Sequence, residues 1–413
     1  LNLQILYKGK ELKMKSKDHL ALHGGKPVRD SYLPYGKQWL DEEDVKAVTN
    51  VLTSDYITTG PIISEFEDAI ASFVDAKYAV AFSSGTAALH AACFAAGIKE
   101  SDEVITTPIT FAATSNSILY NNGTPVFADI HPQTYNISPE AIHSLINANT
   151  KAIITVDFTG QPAEYEEMMD LAKKHGLIVI DDAAHALGAT YKDQFIGSIA
   201  DMTMFSFHPV KHITTGEGGM ITTNNKTYYE KLLSFRNHGI TRDPMKLKHS
   251  NEPWYYEMQE FGFNYRMTDI QAALGLSQLE KLDTFLARRR EYAKKYSNAF
   301  EKMEEITVPF QQHYSNSSWH LYIIRLNLNK LKTERTEIFK AIQKENIGVN
   351  VHYIPVYLHP FYQQLGYQKG LCPNAESLYQ EIITLPLFPK MSEQDLDDVI
   401  TGVKKVISYY SIY

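Results

Sequence analysis

Three short stretches hold residues whose types and spacing could do chemistry. The first is Ser83-Ser84-Gly85-Thr86-Ala87-Ala88-Leu89, where an apolar run ends, a glycine follows and an Ala-rich helix begins at once. A helix start offers backbone N–H groups without intrahelical acceptors and the positive end of a dipole, which together bind anions. The hydroxyls of Ser84 and Thr86 add donors, although such residues also cap helices with no further role, the better reading of this motif alone. The second stretch, Leu177-Ile178-Val179-Ile180-Asp181-Asp182-Ala183-Ala184-His185, is an apolar strand running into two carboxylates. Ligands in open α/β sheets gather at the C-terminal ends of strands. A carboxylate there can hold a metal, a ribose or a protonated ring nitrogen, and a helix cap or surface turn accounts for it equally well. The third is the polar loop around Lys211, framed by Ser206, His208, His212, Gly216, Gly218 and Gly219. Most loop lysines are simply solvated. Here the glycines permit close approach of backbone to a ligand, and a lysine confined beside apolar or cationic groups becomes a nucleophilic amine.

Each stretch alone is ambiguous, but the ordered set meets one specific need. Pyridoxal phosphate requires an anion site for its phosphate, a partner for its pyridinium nitrogen and a lysine to carry it as a Schiff base.

The elements that must position these residues are legible as alternating patterns. Strand-like runs occur at Ala79–Phe82, Glu103–Thr106, Thr124–Ala128, Ala152–Val156, Ile178–Ile180, Met202–Phe205 and Gly219–Thr222. Helical patterns at Thr86–Ala96, Ala112–Tyr120, Pro139–Ile146 and Ala163–Lys174 separate them. Such alternation predicts an α/β fold with one large, mostly parallel, seven-stranded sheet covered by helices on both faces. Ahead of it, Val45, Val48 and Leu52 recur at helical spacing behind an acidic first turn, and a second amphipathic helix follows Thr59-Gly60-Pro61 through Phe73. From Met267 a long helical pattern runs into Arg288-Arg289-Arg290, best read as a solvated helix face. After about Phe300 the texture changes: strands are expected at Ile306–Pro309, His320–Leu326 and Val349–His352, and helices at Arg335–Glu345 and Glu393–Ser408, the last capped by Ser392. The division expected is a leader over 1–22, a large cofactor-binding domain over 23–280 and a smaller α+β domain over 281–413.

Composition bounds the function classes. The chain has 413 residues, 44% of them hydrophobic and 21% charged, enough to bury large cores. A net charge of -8 argues against a nucleic-acid surface. The two cysteines, Cys93 and Cys372, are too far apart in sequence to suggest a metal site or a disulfide framework, which suits a reducing cytoplasm. No run approaches the ~20 apolar residues of a membrane helix. The Lys-rich stretch from Leu1 to Lys17 does not read as a secretory signal, and Met14 lies within it; it is set aside from the functional argument. No metal, nucleic acid or membrane is expected as a partner.

Beyond these readings, the chain resembles the DegT/DnrJ/EryC1/StrS sugar aminotransferases, which have the aspartate-aminotransferase fold (fold type I). The resemblance runs from about His23 to the C-terminus. It is carried by Ser84–Leu89, Asp182-Ala183-Ala184-His185, the Phe205-Ser206-Phe207…Lys211…Gly216–Gly219 run and Gly262–Ala273. Within the family it is most similar to the branch that aminates C4 of a UDP-linked 4-keto-6-deoxy-N-acetylhexosamine in pseudaminic-acid synthesis, with glutamate as donor. Leu33-Pro34-Tyr35-Gly36, Thr58-Thr59-Gly60-Pro61 and Phe207–His212 carry that likeness.

The resemblance implies roles residue by residue. Lys211 would bind the cofactor covalently and then serve as general acid and base. Asp182 would keep the pyridine nitrogen protonated; Asp181, one residue earlier on the strand, should point to the other side of the sheet. Phe111 would stack on the ring, with core packing as its plainer reading, and His185 would support Asp182 from the opposite ring face. The phosphate would sit at Gly85, on the Thr86 and Ala87 N–H groups and on the Ser206 hydroxyl, with Asn264 supplied by the other subunit of a homodimer. Thr59, Arg266, His352 and Tyr353 are candidates for substrate contact, Arg266 because arginine grips carboxylates and phosphates bidentately, although a structural ion pair suits it as well. Two other readings stay open: a pyridoxamine-dependent dehydratase, which would have a histidine where Lys211 stands, and a cofactor-binding regulatory protein without turnover.

Overall fold

The structure, a computed structural model, describes residues 19–249 and 252–412. Most of the expected leader, through residue 18, lies outside this range. Seven strands form the large sheet: β1 (Tyr78–Phe82), β2 (Glu103–Thr106), β3 (Thr124–Phe127), β4 (Thr150–Val156), β5 (Ile178–Asp182), β6 (Met202–Ser206) and β7 (Gly219–Thr223). Their order is β1-β7-β6-β5-β4-β2-β3. Pairs from β6 through β3 are parallel, and β7 runs antiparallel to both neighbours.

Helices cover both faces, so the strands are apolar on both sides. Ile153, Val179 and Phe205 pack into one core with Phe66, Ile70 and Met168. Their alternates Ile154, Ile180 and Met204 pack on the other face against Ala88, Leu89 and Ala92 of the helix Gly85–Ala95. The registers Thr155↔Asp181↔Thr203 and Val156↔Asp182↔Met204 align the ends of three central strands. This is the edge where the site forms.

The C-terminal part is α+β, as expected. An antiparallel sheet of Ile306–Thr307, Tyr322–Leu326 and Ile382–Leu385 packs with the helices Arg335–Lys344 and Glu393–Tyr410. Ser392 caps the last helix through a reciprocal box: its Oγ accepts the Asp395 N–H at 3.1 Å, and Asp395 accepts the Ser392 N–H at 2.8 Å. Leu20 and Leu33 join this second core although they precede the large sheet. The helix Leu282–Phe300 ties the two cores, with Leu282 and Leu286 in the first and Tyr292, Tyr296 and Phe300 in the second.

Several local expectations are corrected. The helical pattern from Met267 is two helices, Asp269–Leu279 and Leu282–Phe300. Val349–His352 is not a strand: Asn350 pairs only in isolation with Thr384, and the third strand of the small sheet is Ile382–Leu385. The three arginines are not a solvated face. Arg289 is 1% exposed and donates to the carbonyls of Trp319 (3.3 Å), His320 (3.1 Å) and Leu387 (2.9 Å). Arg290 donates to the Ser317 and Gly188 carbonyls at 3.1 Å, and Arg288 to that of Met391 at 2.8 Å. Irregular backbone leaves carbonyls without ladder partners, and guanidinium forks supply the missing donors. In the helix Glu42–Leu52, Val45 and Leu52 face outward and Asp44 is buried. Its carboxylate accepts from Ser277 (2.7 Å), Gln278 (2.8 Å) and Lys281 (2.6 Å).

Candidate active site

A cavity of about 540 Å³ opens where the helix Gly85–Ala95 meets the C-terminal ends of β4, β5 and β6. Gly85, Thr86, Phe111, Asp182, His185, Ser206, Lys211, His352 and Tyr353 all line it. Residues separated by more than two hundred positions thus meet on one wall.

Lys211 sits in a tight loop after β6, its N–H bonded to the His208 carbonyl at 2.9 Å. Phe207 anchors the loop: its N–H donates to Gly218 O at 3.0 Å, and its carbonyl accepts from the Thr215 N–H (3.0 Å) and the Thr214 hydroxyl (3.1 Å). Gly216 has φ +77°, and a side chain on Gly219 would stand 2.6 Å from the Ser84 carbonyl and 2.7 Å from the Gly85 nitrogen. These glycines let the lysine loop lie directly against the anion cradle. Burial pushes the Lys211 amine down to about 8; Asp182 opposes this, and Arg289 adds to it. An appreciable unprotonated fraction near neutral pH makes this amine a nucleophile.

Asp182 is buried and held by two donors, the Thr114 hydroxyl to Oδ2 at 2.6 Å and the Ala184 N–H to Oδ1 at 3.2 Å. Burial raises its pKa, while Thr114, Ala184 and Lys211 pull it back. Thr114 in turn meets the Thr110 hydroxyl at 2.6 Å. Asp181 faces the opposite side of the sheet, as strand alternation requires.

His185 accepts from or donates to the Tyr353 hydroxyl through Nε2 at 3.2 Å, and its Nδ1 is buried without a partner. His320 lies behind it with ring centroids 4.3 Å apart, and His212 follows at 5.5 Å. Burial holds all three imidazoles well below their ordinary pKa, and the neighbouring Lys211 lowers them further. Burial also brings His352 down to about 3; its Nδ1 lies 2.9 Å from the Thr384 hydroxyl. The cavity wall therefore carries the Lys211 amine and the Asp182 and Glu217 carboxyls, with buried neutral imidazoles at and behind it.

At the cradle, Ser84 Oγ accepts the Ala87 N–H at 3.1 Å. The Ala87 N–H is thus engaged by the cap, and Ala87 does not line the cavity. Gly85 and Thr86 remain as first-turn donors. A side chain on Gly85 would meet Ser206 Oγ and Met204 Sδ at 3.3 Å, so glycine keeps the helix start against the Ser206 hydroxyl. Phe111 borders the cavity with 65% of its surface exposed.

Three candidates do not line this cavity in the single chain. Asn264 is exposed, its backbone paired with Asn237. Arg266 donates to Asn237 Oδ1 at 2.6 Å, and with Thr59 it lines a separate open cavity of about 860 Å³. Sequence reasoning missed Thr114, His320, Tyr35 and Asn350. Thr114 had a signal, since it stands one helical turn beyond Phe111 in the same short motif; His320 had none, because only tertiary packing brings it to His185.

The family model described as the DegT/DnrJ/EryC1/StrS aminotransferase family matches residues 38–404. The chain belongs to that family. It is similar to the spore coat polysaccharide biosynthesis protein SpsC of Bacillus subtilis, at 42% identity over 92% of this chain and 98% of the relative. It is also similar to a UDP-4-amino-4,6-dideoxy-N-acetyl-beta-L-altrosamine transaminase of Campylobacter jejuni, at 38% identity over 88% and 94% of the two chains. Among solved structures, Helicobacter pylori PseC, an aminotransferase of pseudaminic-acid biosynthesis, superposes with a TM-score of 0.86 at 36% identity, covering 92% of this chain and all of PseC. The pyridoxal-phosphate form of the putative sugar aminotransferase Spr1654 of Streptococcus pneumoniae superposes at 0.85 with 32% identity, covering 92% and 99%.

Family membership makes this DegT/DnrJ/EryC1/StrS protein a pyridoxal-phosphate-dependent aminotransferase of fold type I. The residues lining the cavity fit that cofactor: the Gly85–Ser206 cradle would take its phosphate, Asp182 would face its ring nitrogen, Phe111 and His185 would cover its ring faces, and Lys211 would bind its aldehyde. When bound, pyridoxal phosphate supplies an electron sink for proton removal at the amine-bearing carbon. No group of residues able to hold a metal ion occurs among the described residues, and no described helix is long and apolar enough to cross a membrane.

Proposed function

We propose that the enzyme moves the amino group of glutamate to C4 of a nucleotide-linked 4-keto-6-deoxy sugar, a UDP-linked N-acetylhexosamine. The observation that carries this reading is the joint presence in one cavity of Lys211, with its lowered pKa, and Asp182, in a chain whose full-length relatives include a transaminase named for such a sugar. In the net exchange glutamate becomes 2-oxoglutarate and the sugar ketone becomes an amine. Lys211 shuttles the proton at the reacting carbon, Asp182 holds the ring-nitrogen proton, and the neutral His185–His320 stack keeps a second positive charge from competing with it.

The reading includes a homodimer that shares its sites. Asn264 is exposed and does not line the cavity with the chain's own cradle, and Thr59 and Arg266 line a second open cavity. Ile57, Phe111 and Phe261 are large apolar side chains left exposed around these parts of the surface. In a dimer, Asn264 of the partner subunit completes the phosphate cradle, and Thr59, Arg266, His352 and Tyr353 border the substrate. A nucleotide-sugar substrate places the enzyme in the cytoplasm.

The test is an assay with glutamate and UDP-, GDP- and dTDP-linked 4-keto-6-deoxy sugars. Stoichiometric 2-oxoglutarate with the UDP-linked N-acetylhexosamine supports the proposal, and turnover only with a GDP or dTDP sugar refutes the sugar assignment. If glutamate alone leaves the bound cofactor's visible spectrum unchanged, the protein binds the cofactor without turning over.

A further inference from the structure

Behind the cofactor site lies a second set of acidic and hydroxyl groups that the reaction does not use. Asp181 is 0% exposed and points into the apolar layer opposite Asp182. The strand registers place Thr155 of β4 on one side of it and Thr203 of β6 on the other. Both Asp181 oxygens and both threonine hydroxyls are buried without a hydrogen bond of good geometry, although Thr203 and Tyr165 lie close enough to act on Asp181. The groups around it are Thr155 from β4, Asp157 from the turn after β4, Tyr165 from the start of the helix Tyr165–His175 and Thr203 from β6, with Asp182 next to it on β5 but on the other face of the sheet. None of them is a cation.

Asp157 differs from Asp181 in its partners. Its Oδ1 accepts the Ala163 N–H at 2.7 Å and its Oδ2 accepts the Tyr165 hydroxyl at 3.0 Å. Two donors suit a carboxylate, whereas an anion at Asp181 would be buried beside the Asp157 carboxyl with no counter-charge in that layer. Two close carboxyls in such a place cannot both ionise near neutral pH, and one proton stays on the pair. The partner set decides which member keeps it.

We infer that Asp181 is an uncharged carboxylic acid in the working enzyme, sharing one proton with Asp157, and that it is a positioning residue that leaves Asp182 the only charged carboxyl on β5. The Thr155 and Thr203 hydroxyls flank a neutral acid that can both donate and accept, so none of the four groups needs an ion. Burial and the Asp157 charge both push the Asp181 pKa upward, in agreement with this geometry. When the pair loses its proton at high pH, a second anion appears on β5 next to Asp182, and cofactor affinity changes with it.

Infrared spectroscopy of the apoprotein tests this apart from any turnover. At pH 8 the wild type should show the C=O stretch of a protonated carboxyl, and Asp181→Asn should remove it. Asp157→Asn takes away the neighbouring charge and should lower the pH at which that band disappears. Titrating pyridoxal phosphate binding against pH should show an alkaline limb at the pH where the band vanishes, and D181N should lack that limb. A wild-type spectrum without the band, a band that survives in D181N, or an alkaline limb unchanged in D181N overturns the inference. Should D181N fail to fold, the wild-type band and its shift in D157N still decide.

Discussion

Replacing Thr114 with valine removes one hydroxyl and keeps the side chain's shape. That hydroxyl is the shorter of the two hydrogen bonds to Asp182, at 2.6 Å against 3.2 Å from the Ala184 N–H. A hydrogen bond to a charged group contributes about 1.5–3 kcal/mol, and here it favours the carboxylate over the acid. Losing it should raise the Asp182 pKa by about one to two units, at about 1.4 kcal/mol per unit. Burial already holds that pKa above the ordinary range. The carboxylate needed opposite the cofactor's ring nitrogen is therefore lost at a higher pH in the variant. The sign follows: cofactor affinity should fall as pH drops through the Asp182 pKa, and T114V should move that acidic limb up by the same about one to two units. Where wild-type Asp182 is ionised and T114V Asp182 is not, the Kd for pyridoxal phosphate should rise roughly tenfold to a hundredfold.

The assay is cofactor binding to apoprotein across pH, followed by visible absorption and checked by thermal unfolding. Thr114→Ser keeps a hydroxyl at the same place and should restore most of the affinity. It also controls for the Thr110 hydroxyl, which meets Thr114 at 2.6 Å and loses its partner in the valine variant. A folded T114V whose binding follows the wild-type pH profile would refute the argument that Thr114 sets the charge of Asp182.

Lys211→Ala should abolish the visible absorption of the purified protein's covalently bound cofactor; a persisting band would mean that another amine holds it. The Lys211 pKa of about 8 predicts that the rate of cofactor capture by apoprotein rises with pH and is half-maximal near that value, whereas an ordinary lysine would keep gaining to about 10.4. Asn264→Ala should weaken cofactor retention without lowering the melting temperature, and unaltered affinity would count against a site shared between subunits. Arg289→Leu leaves the Trp319, His320 and Leu387 carbonyls without their shared donor and should lower stability in denaturant titrations, at about 1–3 kcal/mol for a buried carbonyl left unsatisfied.

The large sheet was legible because its strands are short, apolar and separated by helices, so β2 begins and ends where the pattern places it and the others differ by one or two residues. The C-terminal domain was harder. Ile382–Leu385 pairs with Tyr322–Leu326 across more than fifty residues; its run of β-branched residues is a strand signal that the sequence reading passed over in favour of Val349–His352. The face of the helix Glu42–Leu52 was misread for a related reason: periodicity finds an apolar stripe but not which side the protein covers. Asp44 is buried instead because Lys281, Gln278 and Ser277 satisfy it from another helix.

At the site, legibility follows the distance over which each constraint acts. The Asp181–Asp182 distinction needed only the two-residue period of a strand, and the structure places the two carboxyls on opposite faces. Ala87 shows a finer scale, since the same serine that marks a helix start accepts the N–H that the resemblance offers to the phosphate. Arg289 and His320 were beyond reach of any local rule. A run of three arginines reads as surface until Leu387, ninety-eight residues on, and His320, thirty-one residues on, present carbonyls that need a buried donor. The same packing carries His320 to within 4.3 Å of His185. Most of the groups that line the cavity were therefore readable from motif order, whereas the groups that set their charge come from elements that only the folded chain brings behind them.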